Sequence, residues 1–361
     1  MNTRRRGFAR ADLLTALVCL AFAAVVLSPV QGRLSLASRS AGSEDNLRSL
    51  AIANASFAAD HDDTIANFDW RALDPMVHNG NFVRQPPYDM GNGVRYTPKN
   101  TYEASQGQAC FIIRYATRRD ENHPKPITID FNIMPQRRFL YLTMLPYLGG
   151  TLPSDVAASP LDKHLFEWRA NPFDYDALPG GDPKTASSLT WSREQVLNRW
   201  PYASSYQSTV YAWSPDAVGS HGSLPLAPAG DGTRIGIMNP RSCTAQRPMT
   251  DVVTPSRKVF LFEEFDYTTG LGVNGTHYTN AEATVAVQFF DGSVRRVTTR
   301  DANPGWDPRR PGDKTATAEI RYRPIDSRYF PDDTGLAQPN AGYYKWTRDG
   351  LRGTDVNPES P

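Results

Sequence analysis

Cysteine is scarce in this 361-residue chain: three residues are too few for a disulfide scaffold of the kind that staples small secreted domains. One of them, Cys19, lies in an apolar run, which leaves Cys110 and Cys243 as the pair the rest of the chain could form. Spacing alone does not decide between a Cys110–Cys243 bridge, permitted in an oxidising compartment, and two separately buried thiols. Charge of one sign is also lacking. With 39 Lys and Arg against 38 Asp and Glu the formal charge is +1, too balanced to grip a phosphate backbone, so no nucleic-acid partner is expected. The six histidines, at 61, 78, 123, 164, 221 and 277, are dispersed. There is no Gly-x-Ser-x-Gly, no phosphate loop, no His-Glu-x-x-His and no Cys-x-x-Cys, so the usual signatures of hydrolytic, nucleotide-binding and zinc chemistry are missing. The chain is expected to carry out no chemistry of its own.

What it has is 29 Pro, 26 Gly, 16 Tyr and 7 Trp, a loop-rich and aromatic composition that suits an extracytoplasmic sheet domain. The first residues are of another kind. "RRRGFARADLLTALVCLAFAAVVLSPV", residues 4 to 30, places three arginines before a run whose one charge after Arg10 is Asp12. A carboxylate at the head of an apolar helix costs free energy and calls for a compensating partner. The pattern continues as a helix, with Leu34, Ala37, Ala41, Leu47, Leu50, Ala51, Asn54 and Phe57 recurring every three to four residues and no proline between Val30 and Asp74. A helix from about Phe8 to Asp60 would be ~80 Å long, with its first ~30 Å apolar enough to span a bilayer. The arginines hold the start on the cytoplasmic side and put the body outside.

In these residues the chain resembles the type IV pilin-like proteins, including the pseudopilins of type II secretion, with their prepilin-type N-terminal cleavage and methylation segment. That family has a basic leader ending in Gly, then Phe, a carboxylate at the fifth mature position and often a proline at the twenty-second. Counting from Phe8, Gly7, Phe8, Asp12 and Pro29 fall in that register. Asp12 stands where the family carries Glu, and Ala9 and Arg10 stand where it has a small hydroxyl and an apolar residue. The resemblance implies cleavage between Gly7 and Phe8 by a prepilin peptidase. It also implies that Asp12 neutralises the new amine of a neighbouring subunit, and that Pro29 kinks the helix as it leaves the membrane.

Further stretches resemble one subgroup of that family, large planctomycete-type proteins with a "DG" hairpin near the end. Asn46, Leu47, Arg48, Leu50, Ala53 and Phe57 follow its helix pattern. "LYLTMLPYLGG" (140–150), "SPLD" (159–162), "YASSYQ" (202–207) and "PSRKVFLFEEFD" (255–266) follow in its order. The hairpin itself is the clearest local signal. In "TVAVQFFDGSVRRV" two alternating apolar runs flank Asp291-Gly292, which predicts a two-residue type I′ turn. "CFIIRYATRR", "PITIDFNIM" and "KVFLFEEFDY" also read as strands. Glu263, Glu264 and Asp266 within the last of these read as surface charge.

The fold class expected is α+β: a long N-terminal helix, half in the membrane and half exported, packed on an antiparallel sheet with large loop-rich insertions. Residues 1–7 would be the leader, 8–30 the membrane half and 31–60 the exported half. The body would run from 61 to 300 with an insertion at about 153–201, followed by a loop-rich aromatic section, 301–361. "DHDDT" gathers Asp60, Asp62 and Asp63, which could hold Ca²⁺, but the mid-loop Gly and terminal Glu of a calcium loop are missing and a solvated helix end is the better reading. No other cofactor is expected. The function expected is that of a single-pass inner-membrane protein with its body in the periplasm or at the cell surface, partnering itself or other pilin-like subunits. The alternative is a signal-anchored extracytoplasmic binding module or hydrolase with a pilin-like leader.

Overall fold

The computed structural model describes residues 10–71, 76–78, 81–83, 87–99, 101–124, 126–127, 135–170, 172, 200–216, 227–228, 235–236, 246–269, 281–305, 320–322, 338–340, 343–347 and 349–356; along the first helix, side chains are described from residue 35 onward. The chain is a mixture of helix and antiparallel sheet. Helix α1 spans Arg10–Asp60, α2 Thr101–Thr117, α3 Pro135–Arg138 and α4 Lys163–Ala170. Four strands form the central sheet: β1 (Tyr206–Ser208), β2 (Val259–Glu263), β3 (Thr284–Phe289) and β4 (Val294–Thr298). They pair in chain order, so the sheet is an antiparallel meander despite the long excursion between β1 and β2.

The sheet is buried on both faces, which is why β2 reads as a continuous apolar run and not as an alternation. On one face Leu261, Ala286 and Phe290 join the larger core, shared with α1, α2 and the 3₁₀ helix Leu140–Leu148. On the other, Phe262, Val285, Val287, Phe289 and Val297 join a smaller core closed by Ala302, Tyr344 and Val356. Val259 pairs with Phe289 and Leu261 with Gln288, so Phe260 bulges out of the ladder and turns into the larger core, 4.9 Å from the Phe290 ring.

Helix α1 meets this core along Leu47, Leu50, Ala51, Ala53, Asn54, Phe57 and Ala58, all buried and recurring at three and four. Each buried Leu or Phe contributes about 1.5–3 kcal/mol. Ala37 and Ala41, expected on the same stripe, instead face solvent, as do all of residues 35 to 39. Among the described side chains of α1, close packing begins at Gly42, where a Cβ would lie 3.2 Å from Pro160. After Asp60 the chain turns through Asp62 and Asp63, both left-handed at φ 52° and 61°, and Asp63 donates its N–H to the Ala58 carbonyl.

Three local expectations are corrected. "CFIIRYATRR" is not a strand: residues 110–117 are the second half of α2. Its Cys-Phe-Ile-Ile run looks extended in isolation, but from Gln106 on the buried side chains are Gln106, Ala109, Cys110, Ile113 and Arg114, a helical spacing that continues a buried first half, Ala104 to Gly107, in "TYEASQGQA". Glu103 supports the start by accepting the Lys99 N–H (2.8 Å), and Arg118, left-handed at φ 55°, ends the helix as Arg119 N–H reaches back to the Arg114 carbonyl. Second, the hairpin turn is not type I′. Gly292 is left-handed (φ 85°) but Asp291 is not. Gly292 N–H bonds to Phe289 O and Phe289 N–H to Ser293 O, which makes a three-residue loop closed by a glycine bulge. Phe290 is the reason: it is buried against Phe260 and so is taken into the loop from the strand end. Third, Glu263, Glu264 and Asp266 are not surface charge; they are 0%, 0% and 3% exposed. Of "PITIDFNIM", residues 128–134 lie outside the described residues.

Candidate functional site

The residues singled out in the sequence fall in different places. Gly7, Phe8 and Cys243 lie outside the described residues, and Asp12 and Pro29 lie in the part of α1 where only the helical backbone is described. Among the described residues no helix is long and apolar enough to cross a membrane. Cys110 is fully buried on α2. Asp60, Asp62 and Asp63 are exposed at the end of α1, with Asp60 accepting the Tyr147 hydroxyl (2.7 Å). Among the described residues no group of three or more His, Cys, Asp or Glu side chains is placed to hold a metal ion. Asp291 accepts the Ser293 N–H (2.9 Å) and hydroxyl (2.6 Å), bracing the hairpin loop, and Gly292 comes close to Ala51 of α1.

The structure brings several of the separate stretches together at Glu263: "SPLD", "YASSYQ", the hairpin strands and α1. Its Oε1 accepts the hydroxyls of Ser43 on α1 (2.5 Å) and Ser159 of "SPLD" (2.9 Å). Its Oε2 accepts the Ala286 N–H of β3 (3.0 Å) and faces Arg296 of β4 at 3.7 Å. Tyr206 of β1 completes the cluster, its hydroxyl 2.9 Å from Ser43 Oγ and 3.2 Å from Ser43 O. Burial pushes the Glu263 carboxyl above its ordinary range, against the pull of Ser43, Arg296 and the other donors. The same burial, with Glu263 beside it, holds Tyr206 firmly in its protonated form.

On α1 the contacts form a polar line at a spacing of three. Ser40 Oγ accepts from Arg296 Nη1 (3.0 Å), Ser43 binds Glu263, and Asn46 Nδ2 donates to the Ala158 carbonyl (2.8 Å). Farther along, Asn54 Oδ1 accepts the Ala66 N–H (3.0 Å). A search for apolar periodicity passes over this line, because serine and asparagine score as solvent-facing. "SPLD" and "YASSYQ" are explained by the same junction. Asp162 caps α4 by accepting the Leu165 N–H (3.1 Å) and accepts the Ser205 hydroxyl (2.8 Å), while Ser205 N–H bonds to Ala157 O (3.0 Å).

Two neighbours complete the acidic stretch. Glu264 is paired with Arg138 of α3, both buried. Asp266 is raised by burial, but the Thr284 N–H (2.7 Å) and the Thr268 hydroxyl (2.7 Å) and N–H (2.8 Å) outweigh it and hold the carboxyl below its ordinary value. With all three acids turned inward and hydrogen-bonded, this cluster acts as a clamp joining α1, the sheet and the 154–162 loop. The signal in the sequence was a run of acids inside an otherwise apolar strand, which demands internal partners once the strand is buried.

A second buried pair, on the opposite side of the sheet, was missed altogether. Lys258, just before β2, donates from Nζ to Asp355 Oδ2 (3.1 Å) and to the Thr347 hydroxyl. Thr347 in turn donates to Asp355 Oδ1, and Val259 N–H to Asp355 Oδ2 (2.8 Å). Nearby, Arg247 holds Asp216 through two bonds (2.9 and 2.8 Å), and Asp216 Oδ1 accepts the Leu351 N–H (3.1 Å). No protein-family model matches the chain, and neither a curated protein nor a solved structure matches it.

Proposed function

We propose that the chain is a pilin-like or pseudopilin-like envelope protein, anchored in the inner membrane by residues 8–30, with its α+β body outside and its work that of assembly or scaffolding. In this reading the first half of α1 lies in the membrane and the second half carries the body. The observation that carries it is the combination at the chain's start: Gly7, Phe8, Asp12 and Pro29 in prepilin register at the head of one helix that runs from Arg10 to Asp60. Two further observations support it. Residues 35–39 of that helix are exposed all round, and among its described side chains the body's hold begins at Ser40. Three of the stretches that resemble the planctomycete-type subgroup, 159–162, 202–207 and 255–266, also meet α1 at one junction, Glu263.

The chemistry assigned to the helix follows from its one acid. Stripped of water, a carboxylate at position 12 is stabilised by an adjacent cation, and the amine freed at Phe8 of a neighbouring subunit supplies one. The test is mass spectrometry of the membrane fraction. A mature species beginning at Phe8 is expected; a chain that keeps Met1, or one cut near Ala24, overturns the reading. In intact cells, crosslinking should give a ladder of oligomers that Asp12→Ala removes. A correctly processed protein that stays monomeric, with or without the substitution, favours the signal-anchored binding module instead.

A further inference from the structure

We propose that Lys258 and Asp355 become joined by an intramolecular isopeptide bond that staples the C-terminal section to the central sheet. The pair is placed for it. Lys258 and Asp355 are 0% and 1% exposed, and Thr347, which touches both, is 2% exposed. The two backbones run side by side: Asp355 N–H bonds to Arg257 O (2.9 Å), and Arg257 Nε donates to Val356 O (3.0 Å). Neither side chain is free to swing away. Their burial, next in the chain to Val259 and Val356 of the smaller core, keeps out water, the competing nucleophile and the agent that would stabilise separate charges.

Burial works against both charges, lowering the Lys258 ammonium and raising the Asp355 carboxyl, while each partner and the more distant Asp216 pull the other way. Desolvation therefore favours moving one proton from Nζ through the Thr347 hydroxyl to Oδ1, which leaves an amine beside a carboxylic acid whose proton is on the oxygen that departs. From that state the step balances without a co-reactant. The Nζ lone pair attacks Cγ and a C–N bond forms. Oδ2, held by the Val259 N–H at 2.8 Å, takes up negative charge as the oxyanion and becomes the amide oxygen. The Cγ–Oδ1 bond breaks. Thr347, bonded to both Nζ and Oδ1, accepts a proton from the nitrogen and delivers one to the departing oxygen, so a single water leaves. The product has no buried charge, and its remaining N–H keeps the Thr347 hydroxyl as partner. The link closes a loop between positions 97 apart and restricts the unfolded chain as a long-range disulfide would, in a protein with few cysteines to spend.

Intact mass measured on the full-length protein under denaturing conditions tests this. The mature chain is expected to be lighter than its sequence by one water. Trypsin should leave Lys258 uncut and release residues 258–295 covalently joined to residues 353–361. A full-mass chain with a free 353–361 peptide overturns the proposal, and so does a water loss mapped to any other site. Asp355→Asn should reach the same linked product by losing ammonia, and Lys258→Met should show full mass. Thr347→Val should lower the linked fraction in freshly purified protein, and an unchanged fraction removes Thr347 from the step. Because the wild-type measurement decides the main question, a variant that fails to fold leaves the answer intact.

Discussion

The two faces of the central sheet are each held by a carboxylate kept from water, and the two are neutralised by different means. Glu263 is surrounded by neutral donors from α1, the 154–162 loop and β3, with Arg296 standing off at 3.7 Å. Asp355 is met by a cation at 3.1 Å, and its partners come from the strand it lies against and its own section. Donors collected from distant parts of the chain fix a position, because each must arrive before the carboxylate is satisfied. A single close cation fixes an attachment. The first arrangement seats α1 on the sheet; the second ties residues 343–356 to it.

The largest effect that would break this comparison is Glu263→Ala. It leaves the Ser159 hydroxyl and the Ala286 N–H buried without their acceptor, takes one of two partners from the Ser43 hydroxyl and removes the acid facing half-buried Arg296, and should cost about 2–5 kcal/mol. Urea unfolding of the full chain in detergent reads this, and Arg39 and Arg48 should become sites of tryptic cleavage while the 353–361 section stays protected. Next is Gly350→Ala on the other face. Gly350 has φ 61°, and a Cβ there would run into the Asp216 carboxylate. A loss of about 1–3 kcal/mol is expected. Hydrogen exchange should rise across 343–356 and stay unchanged at Leu47 to Phe57.

A smaller effect sharpens the Glu263 side. Because burial raises the folded carboxyl above its unfolded value, the folded state keeps its proton longer. Its contribution is therefore fully present below the ordinary carboxylate range and declines as pH rises through the raised folded value. The stability difference between wild type and Glu263→Gln should shrink over that interval, as thermal melts from acid to neutral pH would show; a constant difference would place the carboxyl at its ordinary value. Smallest is Ala37→Ser on the exposed stretch of α1, expected to change stability by no more than about 0.5 kcal/mol.

Much of the frame could be read before the structure. β2, the hairpin strands and the packed part of α1 all announced themselves through apolar pattern, since burial is what pattern reports. Residues 110–117 misled because a short β-branched run carries no length information of its own; the helix became visible only with the polar residues before it. The hairpin loop misled because Asp-Gly suits two turn types, and Phe290, a tertiary partner of Phe260, chose between them. The Glu263 junction was half legible: its acid could be seen, but its partners are two serines, a backbone N–H and an arginine from four separate places. Lys258, Thr347 and Asp355 carried no local signal, since what unites them is a contact between positions nearly a hundred residues apart.

One consequence belongs to mechanics. Among the described side chains of α1 the body's hold begins at Ser40, and the helix itself begins at Arg10, about 45 Å earlier along its axis at 1.5 Å per residue. A rod gripped at one end transmits a side force as torque. The fulcrum is the ring of contacts at Ser40, Ser43 and Asn46, and the far end of the grip is the apolar seat around Phe57. Tilting the rod pries open the polar ring on one side while pressing the apolar seat on the other. Hydrogen bonds to a carboxylate lose their worth within a fraction of an ångström, whereas apolar packing yields gradually. The joint is therefore stiff up to a threshold and gives way at Glu263 first.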